Sequence, residues 1–293
     1  MQLTLAFITA REEPHLPWLL DTLEPQMKSG DVISLLVVDA LGRTMAEFGE
    51  PGGCMSRRLA RFDVVKPRPN LWQGEQRVAT RDYFANAVAR NTAICYCRDP
   101  YVAFLDDRAR LEPGWLDIVR TGERERASVL CGPYDKQEDW GLSVDHRRKM
   151  KPAGQRGCGG GWAFGGNFCL PLEWLLDING CEEGCDPTGQ EDCVMGLMLA
   201  ARGHRIDFVV EMSIQQDRRG PVHPPAFPRL DKGPSPHDRS HAVITRFGHR
   251  RTTEFTPNLR ELRARVLAGD PAPFPAPDPN HRDWWDAKLV RET

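Results

Sequence analysis

No apolar run in this 293-residue sequence approaches the roughly 18 residues that a membrane span needs. Even Val32 to Val38 is broken by Ser34, so no membrane span is expected. A basic leader is missing too: Met1 to Thr9 carries no Lys or Arg, and Arg11, Glu12 and Glu13 arrive before any cleavage-site pattern. That segment predicts a first strand, not a signal peptide. There is no excess of charge of one sign, because 39 Lys plus Arg stand against 41 Asp plus Glu, a net charge of -2. This excludes a protein that coats nucleic acid or an anionic membrane with its whole surface. Nor is there an even set of cysteines; nine in a chain with no export signal predict reduced thiols in a cytoplasmic compartment, the host's if the chain is viral. No internal repeat is visible.

What is present is ordinary globular material, 40% hydrophobic and 27% charged, in a chain long enough to bury roughly 75% of its unfolded surface. Over the first 130 residues short apolar runs alternate with helical patterns, the signature of an α/β fold with a mostly parallel sheet. Leu3 to Thr9, Val32 to Val38 and Tyr101 to Leu105 read as strands. Phe84, Val88, Asn91 and Cys95 recur at helical spacing and predict a helix over about 79–97. Residues 133 to 162 look like a mobile loop, with Arg147, Arg148, Lys149, Lys151 and Arg156 ahead of Gly157, Gly159, Gly160 and Gly161. Trp162 to Leu170 reads as a strand, Gln190 to Arg202 as an amphipathic helix closed by Gly203, and Ile206 to Val210 as another strand. From residue 217 prolines crowd (Pro221, Pro224, Pro225, Pro228, Pro234, Pro236). We therefore expect one domain over 1–216, with a nucleotide-binding half at about 1–130 and an acceptor half at about 131–216. An irregular Pro-rich arm over 217–293 would carry a short helix from Asn258 to Ala268, with Trp284 and Trp285 docking back.

Two segments carry chemistry. The strand Tyr101 to Leu105 ends in Asp106 and Asp107, at the carboxyl end where ligands bind open α/β sheets. Such a pair suits a hard divalent cation held together with substrate phosphates; it equally suits a solvated turn with capping acids. Glu191 and Asp192 open an amphipathic helix, where the macrodipole favours negative side chains and a carboxylate can serve as proton acceptor. Neighbouring helical positions diverge by about 100 degrees, so one acid faces a substrate while the other anchors the turn. Asp192 is our choice for the base, although the pair also fits a plain acidic first turn.

In order, these pieces resemble the family 2 glycosyltransferases, which have the GT-A fold, through roughly residues 3 to 210. The resemblance rests on Leu35-Leu36-Val37-Val38-Asp39, on Ala89-Arg90-Asn91, on Phe104-Leu105-Asp106-Asp107, and on Glu191-Asp192 followed by Gly203 and Ile206. It implies a single mixed sheet flanked by helices and inverting transfer of a sugar from a nucleoside diphosphate donor. Asp39, Asp106, Arg11 and Asn91 would meet the nucleotide, Asp107 the Mn²⁺ or Mg²⁺, and Asp192 with Glu191 the acceptor. Arg108, Gly165, Gly166 and Trp162 would belong to the loops around donor and acceptor. Many members have a third acid where this chain has Arg108, so that arginine is expected either to leave Asp107 as sole metal carboxylate or to neutralise diphosphate itself. The resemblance suggests His223 as a further metal ligand, though an isolated His in a Pro-rich arm is as readily a surface residue.

Other patterns are weaker. Cys181, Cys185 and Cys193 with His204 lack the spacing of a zinc finger. Trp162 and Trp174 fit either sugar stacking or the core. Arg239, Arg246, Arg250, Arg251, Arg260, Arg263 and Arg265 make the arm locally basic, which admits DNA as the acceptor, as in phage-type sugar transfer to hydroxymethylated bases. Competing classes are a non-catalytic nucleotide or glycan binding module and a sugar-phosphate nucleotidyltransferase. The latter normally shows a glycine-rich loop after its first strand, where this chain reads Thr9-Ala10-Arg11-Glu12-Glu13. The acceptor and the oligomeric state are not encoded in these motifs.

Overall fold

A strand that is apolar at nearly every position must be covered on both faces. Leu3 to Ile8, apolar but for Thr4, form β1 (Gln2–Thr9) in the interior of a seven-stranded sheet. The structure, a computed structural model, describes residues 1–48, 58–77, 81–150, 157–186, 189–225 and 256–277. In chain order its strands are β1, β2 (Val32–Asp39), β3 (Arg61–Val65), β4 (Tyr101–Asp106), β5 (Ala109–Leu111), β6 (Val129–Cys131), β7 (Tyr134–Glu138), β8 (Gly141–Ser143), β9 (Asn167–Pro171), β10 (Ile206–Phe208) and β11 (Ile214–Asp217). Its helices are α1 (Leu16–Leu23), α2 (Met45–Phe48), α3 (Asn86–Tyr96), α4 (Trp115–Glu125), α5 (Arg147–Met150), α6 (Leu172–Asp177), α7 (Glu191–Ala201) and α8 (Leu259–Leu267).

The large sheet runs β10-β6-β9-β4-β1-β2-β3, and only β9 is antiparallel to its neighbours. A second sheet, β5-β11-β7-β8, takes over immediately after β4. The two-residue period of a strand sorts the core into two clusters, one on each face. Ala6, Ile8, Val102 and Phe104 join α3, α6, α7 and α8 on one face. Leu5, Phe7, Tyr101, Ala103 and Leu105 join α1 and α4 on the other. The expected mixed sheet with flanking helices is what forms.

Several boundaries differ from expectation for physical reasons. Helix α3 begins at Asn86, not near 79, because the Asp186 carboxylate reaches back to accept from the N–H groups of Ala87 (2.6 Å) and Val88 (3.3 Å) and so sets its first turn. The strand expected from Trp162 starts only at Asn167; before it, Gly160–Trp162 form a 3-10 turn and Gly165 and Gly166 press their backbone against charged side chains. The stretch expected as a mobile loop contains β7, β8 and α5, and is pinned by Arg147 at one end and by Gly157, whose N–H donates to Asp207 at 2.9 Å, at the other. Lys151 and Arg156 lie outside the described residues.

Beyond β11 the chain stays on the body as far as residue 225: the His223 N–H donates to Ala10 O at 2.6 Å, and Pro225 O accepts from Phe84. The short helix predicted near 258–268 is α8, and it is no loose arm. Leu259, Leu262 and Val266 are buried in the same cluster as α3, each worth about 2 kcal/mol of apolar burial. Pro228, Pro234, Pro236, Arg239, Arg246, Arg250, Arg251, Trp284 and Trp285 lie outside the described residues. All eight described cysteines are free thiols, six of them buried, and no described helix is long and apolar enough to cross a membrane.

The α3 cap gives a direct test. Asp186→Ala leaves two N–H groups of a buried helix start without their acceptor, and is expected to lower unfolding free energy by about 2 kcal/mol. A shift of the urea midpoint at unchanged slope is the measurement.

Candidate active site

Asp106 is the last residue of β4, and Asp107 opens the two-residue corner before β5. Strand alternation sends the two carboxylates to opposite faces. Asp107 continues the Tyr101, Ala103, Leu105 side. It is buried, accepting from the Thr9 hydroxyl (2.8 Å) and from Arg11 Nε (3.3 Å). Burial pushes its carboxyl up to about 6 against the pull of Arg11 and Thr9. Asp106 continues the Val102, Phe104 side. Its side chain is 31% exposed, and of its two oxygens Oδ1 meets Arg90 Nη2 at 3.4 Å.

Arg90 is the hub of that side. It projects from α3 with its side chain only 2% exposed, and its guanidinium joins Asp106 of β4 to Glu191 at the start of α7. Burial works against its charge, yet Glu191, Asp106 and Asp192 hold its pKa above the ordinary arginine value. Glu191 also accepts from Asn86 Nδ2 at 2.7 Å, and burial pushes its carboxyl up while Arg90 pulls it down. Asp192 is half-buried. Its Oδ2 accepts from Gly165 N at 2.6 Å and its Oδ1 from Cys193 N at 2.7 Å. Gly165 and Gly166 are required where they stand: a Cβ at Gly165 would lie 2.1 Å from Arg90 Nη2, and one at Gly166 2.9 Å from Asp106 Oδ2. Tyr134 packs edge-on against Phe164, 6.0 Å between rings, its phenol pushed up by burial and by Asp192 and Asp106.

Several expected roles are corrected by this geometry. Asn91 is fully buried and spends its amide on Cys181 and Glu183, so it braces the loop before α7 and does not reach a nucleotide. Arg11 is no free phosphate ligand; besides Asp107 it holds the carbonyls of Arg218, Arg219, Gly220 and Pro221. Arg108, in the left-handed region at φ 55, spends its guanidinium on Glu13 O (2.7 Å) and Arg219 O (2.5 Å). Asp107 faces inward onto Thr9 and Arg11, which does not suit the metal role expected of it, whereas Asp106, expected at the nucleotide, is the more exposed of the two. Asp39 does sit at the carboxyl end of β2, but it is buried and gripped through both oxygens by Arg43, which also ties down Glu12 O and Arg11 O. Arg147, expected in a mobile basic loop, is buried on Asp145, Gly132 O and Trp162 O, between the rings of Phe164 and Phe208. Trp162 packs edge-on to Phe208 at 5.2 Å and Trp174 stacks on His204 at 4.1 Å, so each has an aromatic partner within the protein. The backbone of His223 is at the end of β1 beside this corner, and the residue is exposed. Arg90 and Tyr134 were missed in the sequence; Arg90 stood inside the Ala-Arg-Asn motif, but a single buried arginine carries no local signal.

No protein-family model and no curated protein sequence matches this chain. Solved structures do. S. aureus TarS 1-349 superposes with a TM-score of 0.53 at 16% identity, covering 74% of this chain and 60% of that one. Its complex with UDP-GlcNAc gives 0.52 at 14%, covering 81% and 63%. GalNAc-T7 with UDP, GalNAc and Mn²⁺ gives 0.54 at 11%, covering 97% and 53%. The chain has the GT-A fold. It spans less than two thirds of each of these GT-A chains.

Within the GT-A fold a divalent cation is the implied partner. Among the described residues no three His, Cys, Asp or Glu side chains converge to cage one. The donor set nevertheless fits a cation that takes one or two carboxylates and completes its shell with phosphate oxygens and water. Asp106, its side chain 31% exposed at the carboxyl end of β4, would supply that carboxylate.

Asp107 yields a pH prediction. Its folded value of about 6 lies above the ordinary 3.8, so folding binds its proton more tightly. Its contribution to stability is complete below the ordinary value and is lost as pH rises through the folded one. Asp107→Asn, neutral throughout, should flatten this part of the stability curve between about pH 4 and 7, measured by denaturant midpoints. A wild-type slope retained in the variant would contradict the buried environment assigned to Asp107.

Proposed function

We propose that the chain is an inverting glycosyltransferase that moves a sugar from a nucleoside diphosphate donor to a hydroxyl acceptor. The observation that carries this reading is the buried Arg90, which ties Asp106 at the end of a sheet strand to Glu191 at the start of α7 and so brings the neighbouring Asp192, held by Gly165 N, to the same region. In this reading Asp106 meets diphosphate charge and Asp192 takes the proton of the attacking hydroxyl. The solved structures with the same fold hold UDP, UDP-GlcNAc and, in one case, Mn²⁺, which makes a uridine donor the first to try.

In the proposed step the acceptor oxygen attacks the anomeric carbon from the face opposite the leaving group, its proton passes to an Asp192 oxygen, and the bond to the diphosphate breaks. No covalent sugar-enzyme intermediate forms, and the configuration inverts. Two backbone N–H groups hold the Asp192 carboxylate in place for this, while Glu191, turned inward onto Arg90, positions α7. A divalent cation on Asp106, with His223 as a candidate second ligand, would neutralise charge on the departing diphosphate. Asp39 and Arg43 together shape the nucleotide end of the site.

Residues 1–216 form the transferase unit in this reading, with α8 packed onto it. A cytoplasmic setting agrees with the free thiols. DNA as acceptor has less support: Arg260 pairs with Glu173, Arg263 donates to Cys97 O and Arg265 is held by Asp270, so these three are not a free phosphate-binding stripe.

A screen of nucleoside diphosphate sugars for hydrolysis and for Mn²⁺-dependent thermal shift tests donor, metal and class together. Asp192→Asn is expected to lower turnover by about 10² to 10⁴ with donor affinity nearly intact. Glu191→Gln should cost less turnover but more stability, because it weakens the buried pair with Arg90. If Glu191→Gln proves the more damaging at full donor occupancy, the base is Glu191; if neither matters, the transferase reading fails.

A further inference from the structure

A cavity of about 620 Å³ opens at the carboxyl ends of β2 and β3, and part of its wall comes from the far end of the sequence. Ala40, Gly42, Arg68 and Gln73 line it from the sheet side; Phe274 and Ala276 line it from the segment after α8. Two of its residues carry buried polar atoms without partners. Gln73 donates its Nε2 to Ala40 O at 2.5 Å, which fixes the amide and leaves Oε1 as an unpaired acceptor. Arg68 pairs with Glu183 and donates Nη1 to Pro69 O at 3.1 Å, leaving Nε as an unpaired donor. Buried polar atoms in folded proteins are nearly always satisfied. Both residues line the cavity, and each keeps one polar atom without a protein partner just behind its surface, where a ligand edge reaching in would meet a donor and an acceptor.

The far wall is built to stay in place. Asn179 accepts from Leu259 N at 2.9 Å and donates to the carbonyls of Thr256 and Pro257, fixing the start of α8 on the body. At the other end Arg265 meets Asp270 at 2.8 Å and Ala272 O at 2.6 Å, and Asp270 accepts from Ala272 N at 2.9 Å. Phe274, half-buried, then packs on Tyr96 of α3, 6.0 Å between rings. An aromatic ring so held presents apolar area at little further entropy cost.

We infer that Phe274 is a specificity-determining residue of the donor site: the C-terminal segment supplies the apolar wall against which the flat nucleobase lies, with Arg68 and Gln73 meeting its edge. This rests on the glycosyltransferase reading above and adds to it that the donor pocket is completed by residues about 200 positions after its sheet wall. Asp39, gripped by Arg43, is then not the residue that selects the base.

The test is calorimetric titration of the full chain and its variants with UDP, UMP, CDP and GDP. Phe274→Ala is expected to weaken UDP and UMP alike by about tenfold, since the loss lies in stacking on the base, and to narrow the spread of affinities among the three diphosphates. Phe274→Tyr keeps the ring and should stay within about twofold of wild type. If Phe274→Ala does not fold, Phe274→Leu keeps the contact with Tyr96 without the aromatic face and should show the same loss. Wild-type affinity and selectivity in Phe274→Ala or Phe274→Leu, with UDP still bound by the wild type, overturns this inference and leaves the transferase reading standing. A wild type that binds none of the four nucleotides overturns that reading, and this inference with it.

Discussion

Everything at the candidate site depends on a positive charge that has been taken out of water. A buried guanidinium is tolerated only where carboxylates and hydrogen bonds replace the lost hydration, and breaking such a pair from one side costs about 3 to 5 kcal/mol because a naked charge remains. Arg90 meets this condition by drawing Glu191 and Asp106 to itself. The fold therefore cannot place the end of β4 and the start of α7 independently; one ion-pair network sets both. The absence of side chains at Gly165 and Gly166 is part of the same constraint, since no other residue leaves room for the guanidinium and for Asp106.

Arginine serves a second purpose at the carboxyl ends of the strands. Arg11, Arg43 and Arg108 each satisfy a set of loop carbonyls that would otherwise lie unpaired where strands stop. The planar, multiply donating guanidinium suits this better than lysine, which offers a point charge. The consequence for function is subtractive. Arg11, Arg108 and Arg147 are committed to the protein itself, so in the proposed reaction the neutralisation of diphosphate would rest on a cation at Asp106.

The strands β1, β2, β4 and β10, the α7 boundary and the positions of Asp39, Asp106 and Asp192 were legible because each depends on local pattern, a two-residue or a 3.6-residue period. What escaped depends on contacts between residues far apart in sequence. Asp186 starts α3 from almost a hundred positions away, Arg90 earns its burial from acids on two other elements, and α8 docks only because Asn179 and α3 leave a place for it. The stretch over 133–162 read as a mobile loop because it mixes basic residues and glycines. Its order comes from Arg147, whose Asp145 partner and aromatic neighbours a linear reading treats as unrelated.

The opposite facing of Asp106 and Asp107 follows from a simple rule. Adjacent residues at the end of a strand point to opposite faces, and the face of each acid follows from the residues two and four positions before it. Val102 and Phe104 belong to the cluster that holds α3, α7 and α8, so Asp106 must look toward Arg90 and the α7 acids. Ala103 and Leu105 belong to the cluster under α1 and α4, so Asp107 must look toward Thr9, the next odd position of β1 after Phe7. Tyr96 and Phe274 pack against the cluster on the Asp106 side. One face of the sheet therefore carries the exposed carboxylate, the acids of α7, the buried arginine and the C-terminal wall, while the other carries the packing of α1 and α4 and the buried Asp107. Only one of two neighbouring acids can stand on the first side, because the strand period sends the other to the opposite face.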